Sequence, residues 1–569
     1  MTGATAPVRI GNCSGFYGDR LSAMREMLTG GELDALTGDY LAELTMLILG
    51  RDAMKDQSLG YARTFVRQLE DCLGLALESG VRIVSNAGGL NPAGLAARIR
   101  EVATGLGLAP SVAHVEGDDL RSLGFPGALT ANAYLGAFGI AAALHGGADI
   151  VVTGRVTDAS LVVGVGAAHH GWGTTSYDEL AGAVVAGHVL ECGTQATGGN
   201  FSGFLSLDRS RPLGFPIAEL AADGSTVITK HDGTGGAVTV DTVTAQLVYE
   251  IQSTHYLGPD VTTLLDTVTL TPAGPDRVSV SGVRGQAPPA RLKVGVNELG
   301  GFRNCVEFVL TGLDIEAKAD WVRAQLSAIS AQEVTWSPLS TPAADASTQE
   351  AASVLLRCTV KDPSADVVGR AFTGPAVELA LASYPGFTMT GPPAPPTPYG
   401  IYRAEYVERE AVTHTVVHAD GRREVIADPQ EFSPVTTGME GLRPSPYPAP
   451  ADQVNRRVPL GTFVHARSGD KGGDANLGLW IVHDGSPRYD DRVTWLTKLV
   501  TPAKVRELVP EAADLDIEVF NLPRLGAVNV VLHGLLGDGV AASTRFDPQA
   551  KGLGEWVRSR FVHIQEDLL

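Results

Sequence analysis

Residues 81–107, VRIVSNAGGLNPAGLAARIREVATGLG, contain one strand, one loop and one helix, and this stretch decides the fold class. The apolar run at residues 81–84 is typical of a strand buried in a parallel sheet. Pro92 is placed where the first turn of a helix accepts proline, and Gly105 is placed where a helix ends. The order strand, loop, helix predicts one unit of an open α/β sheet.

The loop of this unit is rich in glycine and asparagine. Loops that follow a parallel strand point backbone N–H groups from a helix N-terminus towards anionic or polar ligands. AGGLNP does not match a dinucleotide or phosphate-loop motif, so it names no cofactor. Two interpretations stay open. The loop is either a tight structural turn or a ligand-binding loop, whose candidate residues are Asn86, Gly88, Gly89 and Asn91.

Strand-then-helix steps recur on both sides of this unit. Strands are predicted at residues 8–12, 33–38, 111–115 and 148–153, and helices at residues 59–78, 131–145 and 177–190. The alternation predicts an α/β domain with a mostly parallel, doubly wound sheet. A barrel is disfavoured because eight evenly spaced strands are not countable.

Acidic and polar residues gather where these predicted strands and helices end. Four acids, Asp39, Glu43, Asp158 and Glu191, are the candidates for general acid/base catalysis. If Asp39 and Glu43 are in one helix, their spacing of four places them on the same face. A divalent metal, helix capping and an ion pair between Arg155 and Asp158 are the alternatives. No metal is predicted, since no HExxH or similar spacing occurs and His169 and His170 are predicted to lie in a loop.

Cys192 directly follows Glu191 and is a candidate nucleophile if a base such as His188 or His231 lies in reach. The alternative is a small buried apolar residue, which most free cysteines are. Further candidate ligand-binding residues in the nearby polar segments are Asn12, Ser14, Arg155, Thr194, Asn200, His231 and Asp232.

The second half of the chain has a different sequence pattern. From residue 262, alternating Val and Thr predict antiparallel strands, so residues 262–445 form an α+β subregion of a first domain at residues 1–445. The proline-rich residues 443–458 predict a boundary, and residues 458–569 a small α+β domain whose last helix is predicted at residues 552–563. There, residues 466–478, ARSGDKGGDANLG, predict a loop between two strands, and Ser468, Asp470 and Lys471 are candidate anion ligands. A solvated hairpin held by its own side chains is the alternative.

Composition limits the class of protein. The 569 residues carry a formal net charge of −20 and no basic stripe, which disfavours nucleic-acid binding. Five scattered cysteines without a CxxC pair favour free thiols in the cytoplasm. Neither a signal peptide nor an apolar run long enough to cross a membrane is recognised. A symmetric homo-oligomer is expected for a protein of this kind.

Several motifs occur in an order that resembles a known family: GNCSGFYGDR, GDYLAELTM, NAGGLNPAG, ADIVVTGRVTDASL, GHVLECGTQATGGNF, HDGTGGAVT, YLGPDV and ARSGDKGGDANLG. Over nearly its whole length the chain resembles the acyclic terpene utilisation (AtuA-like) proteins. The resemblance implies a large α/β domain followed by a ferredoxin-like domain. It also implies bacterial breakdown of branched acyclic terpenoids and other acyl-CoA thioesters, alongside biotin-dependent acyl-CoA carboxylases. It assigns no catalytic residue.

Two functional hypotheses follow. The first is an enzyme that acts on a branched or terpenoid acyl-CoA or its acid by hydratase, lyase or hydrolase chemistry, with no tightly bound cofactor and the CoA thioester as substrate. The second is a non-catalytic partner that assembles with acyl-CoA carboxylase subunits through the small C-terminal domain. A nicotinamide or flavin oxidoreductase is disfavoured, because every strand-helix junction lacks the dinucleotide fingerprint.

Overall fold

The computed structural model describes residues 6–434 and 455–569, which divide into two compact units. The first unit comprises the described residues within 1–297, 402–537 and 549–569. The second comprises residues 298–401 and 538–548. Most of the predicted boundary at residues 443–458 lies outside the described residues.

Strands and helices alternate through residues 8–190, as the sequence predicts, and strands predominate from there to residue 286. The strands are β1 (Val8–Asn12), β2 (Ala35–Gly38), β3 (Arg82–Ser85), β4 (Val112–Glu116), β5 (Ala128–Ala133), β6 (Ile150–Thr153), β7 (Pro216–Leu220), β8 (Thr226–Lys230), β9 (His255–Leu257), β10 (Thr262–Leu264), β11 (Thr269–Pro272), β12 (Val278–Ser281) and β13 (Arg284–Gln286). The helices are α1 (Ala23–Thr29), α2 (Glu43–Lys55), α3 (Arg63–Ser79), α4 (Pro92–Gly105), α5 (Phe138–His145), α6 (Ser160–His170), α7 (Tyr177–Leu190) and α8 (Val240–Leu247).

Strands predominate in the rest of the chain. They are β14 (Arg291–Thr311), β15 (Glu333–Pro338), β16 (Ser353–Asp362), β17 (Thr397–Glu408), β18 (Thr415–Val417), β19 (Arg423–Val425), β20 (Asn455–Pro459), β21 (Val464–Lys471), β22 (Asp474–Ile481), β23 (Ile517–Leu522), β24 (Ala527–Leu532) and β25 (Phe561–Gln565). The helices are α9 (Ile315–Gln325), α10 (Ala365–Val368), α11 (Arg370–Glu378), α12 (Tyr489–Leu499), α13 (Pro502–Leu508) and α14 (Leu553–Ser559).

A mixed sheet is the centre of the first unit. Within the described residues it contains eleven strands in the order β11-β12-β8-β7-β1-β2-β3-β6-β4-β18-β19. The five strands β1, β2, β3, β6 and β4 pair in parallel, whereas every pairing outside them is antiparallel. The predicted parallel sheet is therefore limited to these five strands, and the sheet as a whole is not mostly parallel.

Both faces of the parallel strands are buried. Val84 and Val151 pack in one apolar core with α5, α6 and α7, whereas their neighbours Ile83 and Ile150 pack in another with α1, α3 and α4. Side chains alternate between the two faces of a strand, so apolar residues are needed at successive positions. This explains why the short runs at β3 and β6 were recognisable in the sequence.

The C-terminal domain of the first unit is a four-stranded antiparallel sheet in the order β21-β22-β24-β23, within the described residues. Helices α12, α13 and α14 contribute to its apolar core. Trp480 on β22 is an exception, since it is fully buried in the core of the eleven-stranded sheet. This tryptophan connects the cores of the two domains.

The second unit has its own core. Strand β16 pairs antiparallel with β15 and with residues 302–311 of β14. Helices α9 and α11 cover this sheet with Val322 and Phe372. The α+β character predicted for residues 262–445 is present here.

Three local predictions are wrong. Residues 131–133 belong to β5 and not to the predicted helix, which begins only at Phe138. His169 and His170 end helix α6 and do not lie in a loop. The helix predicted at residues 552–563 ends at Ser559, and β25 follows because it pairs with β20. In the described part of the chain, no helix is long and apolar enough to span a bilayer.

Candidate active site

The carboxyl ends of β2 and β3 bring two predicted site residues together. Asn86 Nδ2 donates a hydrogen bond of 2.6 Å to Asp39 Oδ1, which also accepts from the backbone N–H of Leu41 at 3.0 Å. Both side chains are buried. Adjacent parallel strands end at the same edge of a sheet, which is why residues 47 positions apart in sequence meet.

The next parallel strand, β6, adds Arg155 and Asp158. Their side chains form an ion pair of 2.8 Å, and Arg155 is only 4 % exposed. The backbone N–H of Arg155 donates to Asp118 Oδ2 at 2.8 Å, so the end of β4 holds this segment in place. Asp158 is half-buried. The predicted ion pair is present, but it leaves the Asp158 carboxyl partly accessible.

Asp39 and Glu43 do not share a helix face, because α2 begins only at Glu43 and Asp39 precedes it. Their surroundings shift their pKa values in opposite directions. Burial raises the pKa of Asp39 well above its usual range, Asp158 raises it further, and Arg155 opposes them. Burial also acts to raise the pKa of Glu43, but Lys293, Lys471 and Arg155 together lower it. Paired carboxyls with separated pKa values are typical of acid/base sites.

Glu191 is held by His188 at the end of α7. His188 Nδ1 lies 2.9 Å from Glu191 Oε1, and the two residues are 2 % and 8 % exposed. His188 Nε2 and Glu191 Oε2 are both buried without a hydrogen-bond partner. The Tyr256 ring lies 5.2 Å from the His188 ring. Burial raises the pKa of Tyr256 well above its usual range, and Glu191 adds to the shift. Tyr256 is therefore a protonated phenol at neutral pH.

The C-terminal domain supplies Asp470 and Lys471 from the end of β21. The predicted loop of residues 466–478 is in fact a hairpin whose strands run to Lys471 and Asp474, and only Gly472 and Gly473 turn. Gly472 has a φ of 63°, which favours glycine. A Cβ atom on Gly473 would lie 2.1 Å from the carbonyl oxygen of Gly537, so no larger residue fits there.

Both hairpin residues carry shifted pKa values. Burial raises the pKa of Asp470 to about 7, with Glu250 and Glu43 adding to the shift. Burial acts to lower the pKa of Lys471, but Tyr256 and Glu250 raise it on balance. Glu43 and Asp158 also raise the pKa of Lys471, so the hairpin lies beside acids that follow β2 and β6. Residues from both sides of the predicted domain boundary therefore contribute to one site.

Four predicted ligand-binding residues are occupied by structural hydrogen bonds. Asn12 donates to the Leu190 carbonyl at 2.6 Å, and Ser14 to that of Phe16 at 3.0 Å. His231 Nε2 lies 3.0 Å from the Met27 carbonyl. Ser468 donates to the Ala550 carbonyl at 2.6 Å. These hydrogen bonds hold the four side chains against the backbone of neighbouring segments.

The AGGLNP loop is mainly structural. Asn91 caps helix α4 by accepting from the Gly94 N–H at 2.9 Å. Gly88 allows close approach of β6, since a Cβ there would lie 2.4 Å from the Thr153 carbonyl oxygen. Gly89 has a φ of 52°, which favours glycine. Of the four candidates in this loop, Asn86 is the one that contacts a site carboxyl.

The remaining candidates lie in the segment after α7 or at the surface. Thr194 is half-buried, Asp232 is exposed, and Asn200 is an exposed residue with a φ of 55°. The Asn200 carbonyl accepts from Arg467 at 3.1 Å. Thr194 and Asp232 make no contact with the strand-end acids among the contacts of the described residues. Also among those residues, no group of three or more His, Cys, Asp or Glu side chains is arranged to hold a metal ion.

Cys192 has surroundings that oppose a thiolate. Burial raises the pKa of Cys192 well above its usual range, and Glu250 and Glu191 raise it further. A nucleophilic cysteine needs the opposite shift. The structure therefore gives no support to the nucleophile hypothesis, which rested on sequence proximity to His188.

We expect Cys192 to react slowly with iodoacetamide at neutral pH, because only the thiolate is nucleophilic. Exposed Cys305 is the internal control and should be alkylated first. Peptide mass mapping over time measures both rates. Alkylation of Cys192 at or above the rate of Cys305 would show that the thiolate is accessible and stabilised.

Asp118 holds Arg155 in place and is itself a buried acid. Burial raises the pKa of Asp118 to about 6, although hydrogen bonds from Arg155 and Asn132 oppose the shift. A carboxyl with a raised pKa contributes stability at low pH that is lost as the pH rises through about 6. Between about pH 4.5 and about pH 7.5 the wild type should therefore lose roughly 2 kcal/mol of unfolding free energy that the Asp118→Asn variant does not lose.

Urea unfolding at the two pH values measures this difference, with exposed Asp119→Asn as the matched control. If the difference in unfolding free energy between Asp118→Asn and the wild type does not change with pH, the raised pKa of Asp118 is contradicted.

Several site residues were not found from the sequence. Lys293 acts on the pKa of Glu43, and Glu250 and Lys551 act on that of Asp470. Tyr134 acts on the pKa of Arg155, whereas the pKa values of Tyr256 and Tyr402 are themselves raised by burial and by site acids. Lys293 alternates with buried Leu292 and Val294 on β14, which identifies a strand but not what its other face meets. No local signal distinguishes these residues from ordinary surface positions.

Comparison with protein families agrees with this organisation. The model of the acyclic terpene utilisation family protein AtuA matches residues 8–418, and that of the AtuA ferredoxin-like domain matches residues 458–563. The chain belongs to the acyclic terpene utilisation family. No curated protein and no solved structure has detectable similarity to it. Family membership confirms the resemblance and the ferredoxin-like C-terminal domain, and it suggests a role in acyclic terpene utilisation.

Proposed function

We propose that the chain is an enzyme that transfers protons on a branched or terpenoid acyl-CoA thioester, by hydratase or lyase chemistry. The observation that carries the proposal is the cluster of Asp39, Glu43, Asp158, Glu191 and Asp470, in which five carboxyls from four chain segments meet in one unit. Burial of several ionisable groups is costly for folding, and such clusters concentrate at functional sites.

Asp158 is the proposed general base. It is half-buried, and burial together with Glu191 raises its pKa to about 6, while Arg155 opposes the shift. At neutral pH the carboxylate is therefore present and basic enough to take a proton from water or from the carbon next to the thioester carbonyl. The ion pair with buried Arg155 positions it.

Asp470 is the proposed general acid. It is half-buried and its pKa is raised to about 7, so a large fraction holds a proton at neutral pH. In a hydration, Asp158 would take a proton from the water that adds to the β carbon, and Asp470 would deliver one to the α carbon. In the reverse reaction, the two groups exchange these roles.

The two pKa values predict a narrow pH optimum. The rate should rise as Asp158 ionises through about pH 6 and fall as Asp470 loses its proton through about pH 7. Measurement of kcat/KM between about pH 5 and about pH 9 tests this. Asp158→Asn should remove the acidic limb in any residual activity, and Asp470→Asn the alkaline limb. A profile that is flat across this range would contradict both roles.

Calorimetric titration tests the substrate class directly. We expect branched acyl-CoA thioesters to bind more tightly than free CoA, because the acyl group enters the site. A chain that binds neither CoA nor any thioester would refute the proposal. Recovery of the chain from its host with carboxylase subunits, combined with an absence of thioester binding, would instead favour the non-catalytic partner.

A further inference from the structure

Four hydrogen-bond donors next to the carboxyl cluster have no acceptor. Arg155 Nε and the Tyr402 hydroxyl are buried without a hydrogen-bond partner. Lys293 and Lys471 make no hydrogen bond and no ion pair within 4.0 Å of any described residue. Unsatisfied buried donors are costly, and two unpaired lysines beside them are unusual. The described part of the protein therefore supplies no acceptor for these four donors.

The four donors lie close together, and aromatic rings lie between them. The Tyr134 ring lies between the Arg155 guanidinium at 4.2 Å and Lys293 Nζ at 4.7 Å. Lys293 Nζ is also 5.9 Å from the Tyr402 ring. A Cβ atom on Gly472 would lie 3.3 Å from Tyr402 Cε1, so the hairpin that carries Lys471 reaches the same ring. We call Arg155, Lys293, Lys471 and Tyr402 the cationic subsite.

The cationic subsite contributes three positive charges, from Arg155, Lys293 and Lys471. The acids that raise the pKa of Lys471 include Glu250, Glu43 and Asp158. None of these acids accepts a hydrogen bond from Lys293 or Lys471 among the described residues. An anion that reaches the two lysines would therefore satisfy donors that the protein itself leaves unused.

We propose that the cationic subsite binds a carboxylate carried by the acyl group of the substrate, so that the enzyme acts on thioesters of dicarboxylic acids. This inference rests on the proposed function. A carboxylate has two oxygens in a plane and one charge, which match the guanidinium, hydroxyl and ammonium donors. A phosphate dianion would bring a second charge close to Glu43 and Asp158, where it is repelled.

Two thioesters of equal acyl length test the proposal by calorimetry. Glutaryl-CoA carries the terminal carboxylate and valeryl-CoA does not, and free CoA reports the contribution of the phosphates. The wild type should bind glutaryl-CoA at least about tenfold more tightly than valeryl-CoA, since charge-assisted hydrogen bonds to buried groups are strong. Lys293→Met and Lys471→Met should each reduce this preference by about tenfold or more.

Two further variants make the test specific. Tyr402→Phe keeps the ring and removes one donor, so it should lower the preference for glutaryl-CoA by several-fold without affecting folding. Lys55→Met changes an exposed lysine at the far end of α2 and should leave the preference unchanged.

The outcomes separate the two proposals. Equal binding of glutaryl-CoA and valeryl-CoA by the wild type would overturn the carboxylate subsite and leave the acyl-CoA proposal standing. Lysine variants that weaken both thioesters and CoA to the same extent would assign the lysines to the CoA phosphates and also overturn it. Binding of neither thioester would refute the proposed function, and this inference with it.

Discussion

Replacing Asp158 with asparagine is expected to lower the rate of proton transfer to and from an acyl-CoA by about 10² to 10⁴-fold, the usual contribution of a general base. Asparagine preserves the size of the side chain but cannot accept a proton. The ion pair with Arg155 at 2.8 Å is lost as well, so the guanidinium is left with fewer partners. We therefore expect an effect on kcat that exceeds the effect on KM.

Thermal unfolding shows whether this loss is catalytic. Because the variant leaves the buried Arg155 guanidinium without its ion pair, the midpoint of unfolding should fall, and the two rates are compared at a temperature where both proteins are folded. Asp119→Asn removes an exposed carboxyl after the neighbouring strand β4 and is the matched control, with the rate expected within about twofold of the wild type. An Asp158→Asn enzyme that retains the full rate would exclude Asp158 as the base.

Trp480→Ala is expected to cost about 3–5 kcal/mol of unfolding free energy, because a large, fully buried side chain leaves a cavity. Its indole N–H also donates to Asp241 Oδ1 at 3.0 Å, so this carboxylate loses a partner. The tryptophan lies in the core of the eleven-stranded sheet although it belongs to the C-terminal domain. Its loss should loosen the contact that brings Asp470 and Lys471 to the strand-end acids.

Urea unfolding and activity measure both consequences. We expect an early transition of the C-terminal domain and a loss of activity at denaturant concentrations where the rest of the chain is folded. Trp321→Ala, at a tryptophan that is 47 % exposed, is the control and should cost less than about 1 kcal/mol. If Trp480→Ala unfolds in one transition with full activity up to that point, the tryptophan does not connect the two domains.

The strand-end acids were predictable from the sequence because each belongs to a local pattern. Asp39 follows the apolar end of β2, and Asp158 follows β6 after a short polar turn. Parallel strands end at one edge of a sheet, so these positions are expected to be close. Asn91 and Ser468 both bond to backbone groups in the structure, as Asn and Ser at turns readily do, and their assignment as ligand-binding residues stays a prediction.

The other half of the site was not predictable. Lys293 and Tyr402 come from β14 and β17, whose sequences show strand periodicity but not the element that each face meets. Lys471 was predicted as an anion ligand in a loop, whereas it ends a strand that continues to a two-glycine turn. Its proximity to Glu43 depends on how the C-terminal domain packs within the first unit, and that packing depends on distant contacts such as those of Trp480.

The most direct test of the central claim is deuterium incorporation. Incubation of the protein in D₂O with a branched α,β-unsaturated acyl-CoA and with its saturated counterpart, followed by mass spectrometry, detects exchange at the α carbon and addition of water. The account predicts deuterium uptake or hydration by the wild type and a loss of both in Asp158→Asn. A thioester that binds but gains neither deuterium nor water, or an Asp158→Asn variant equal to the wild type, would contradict it.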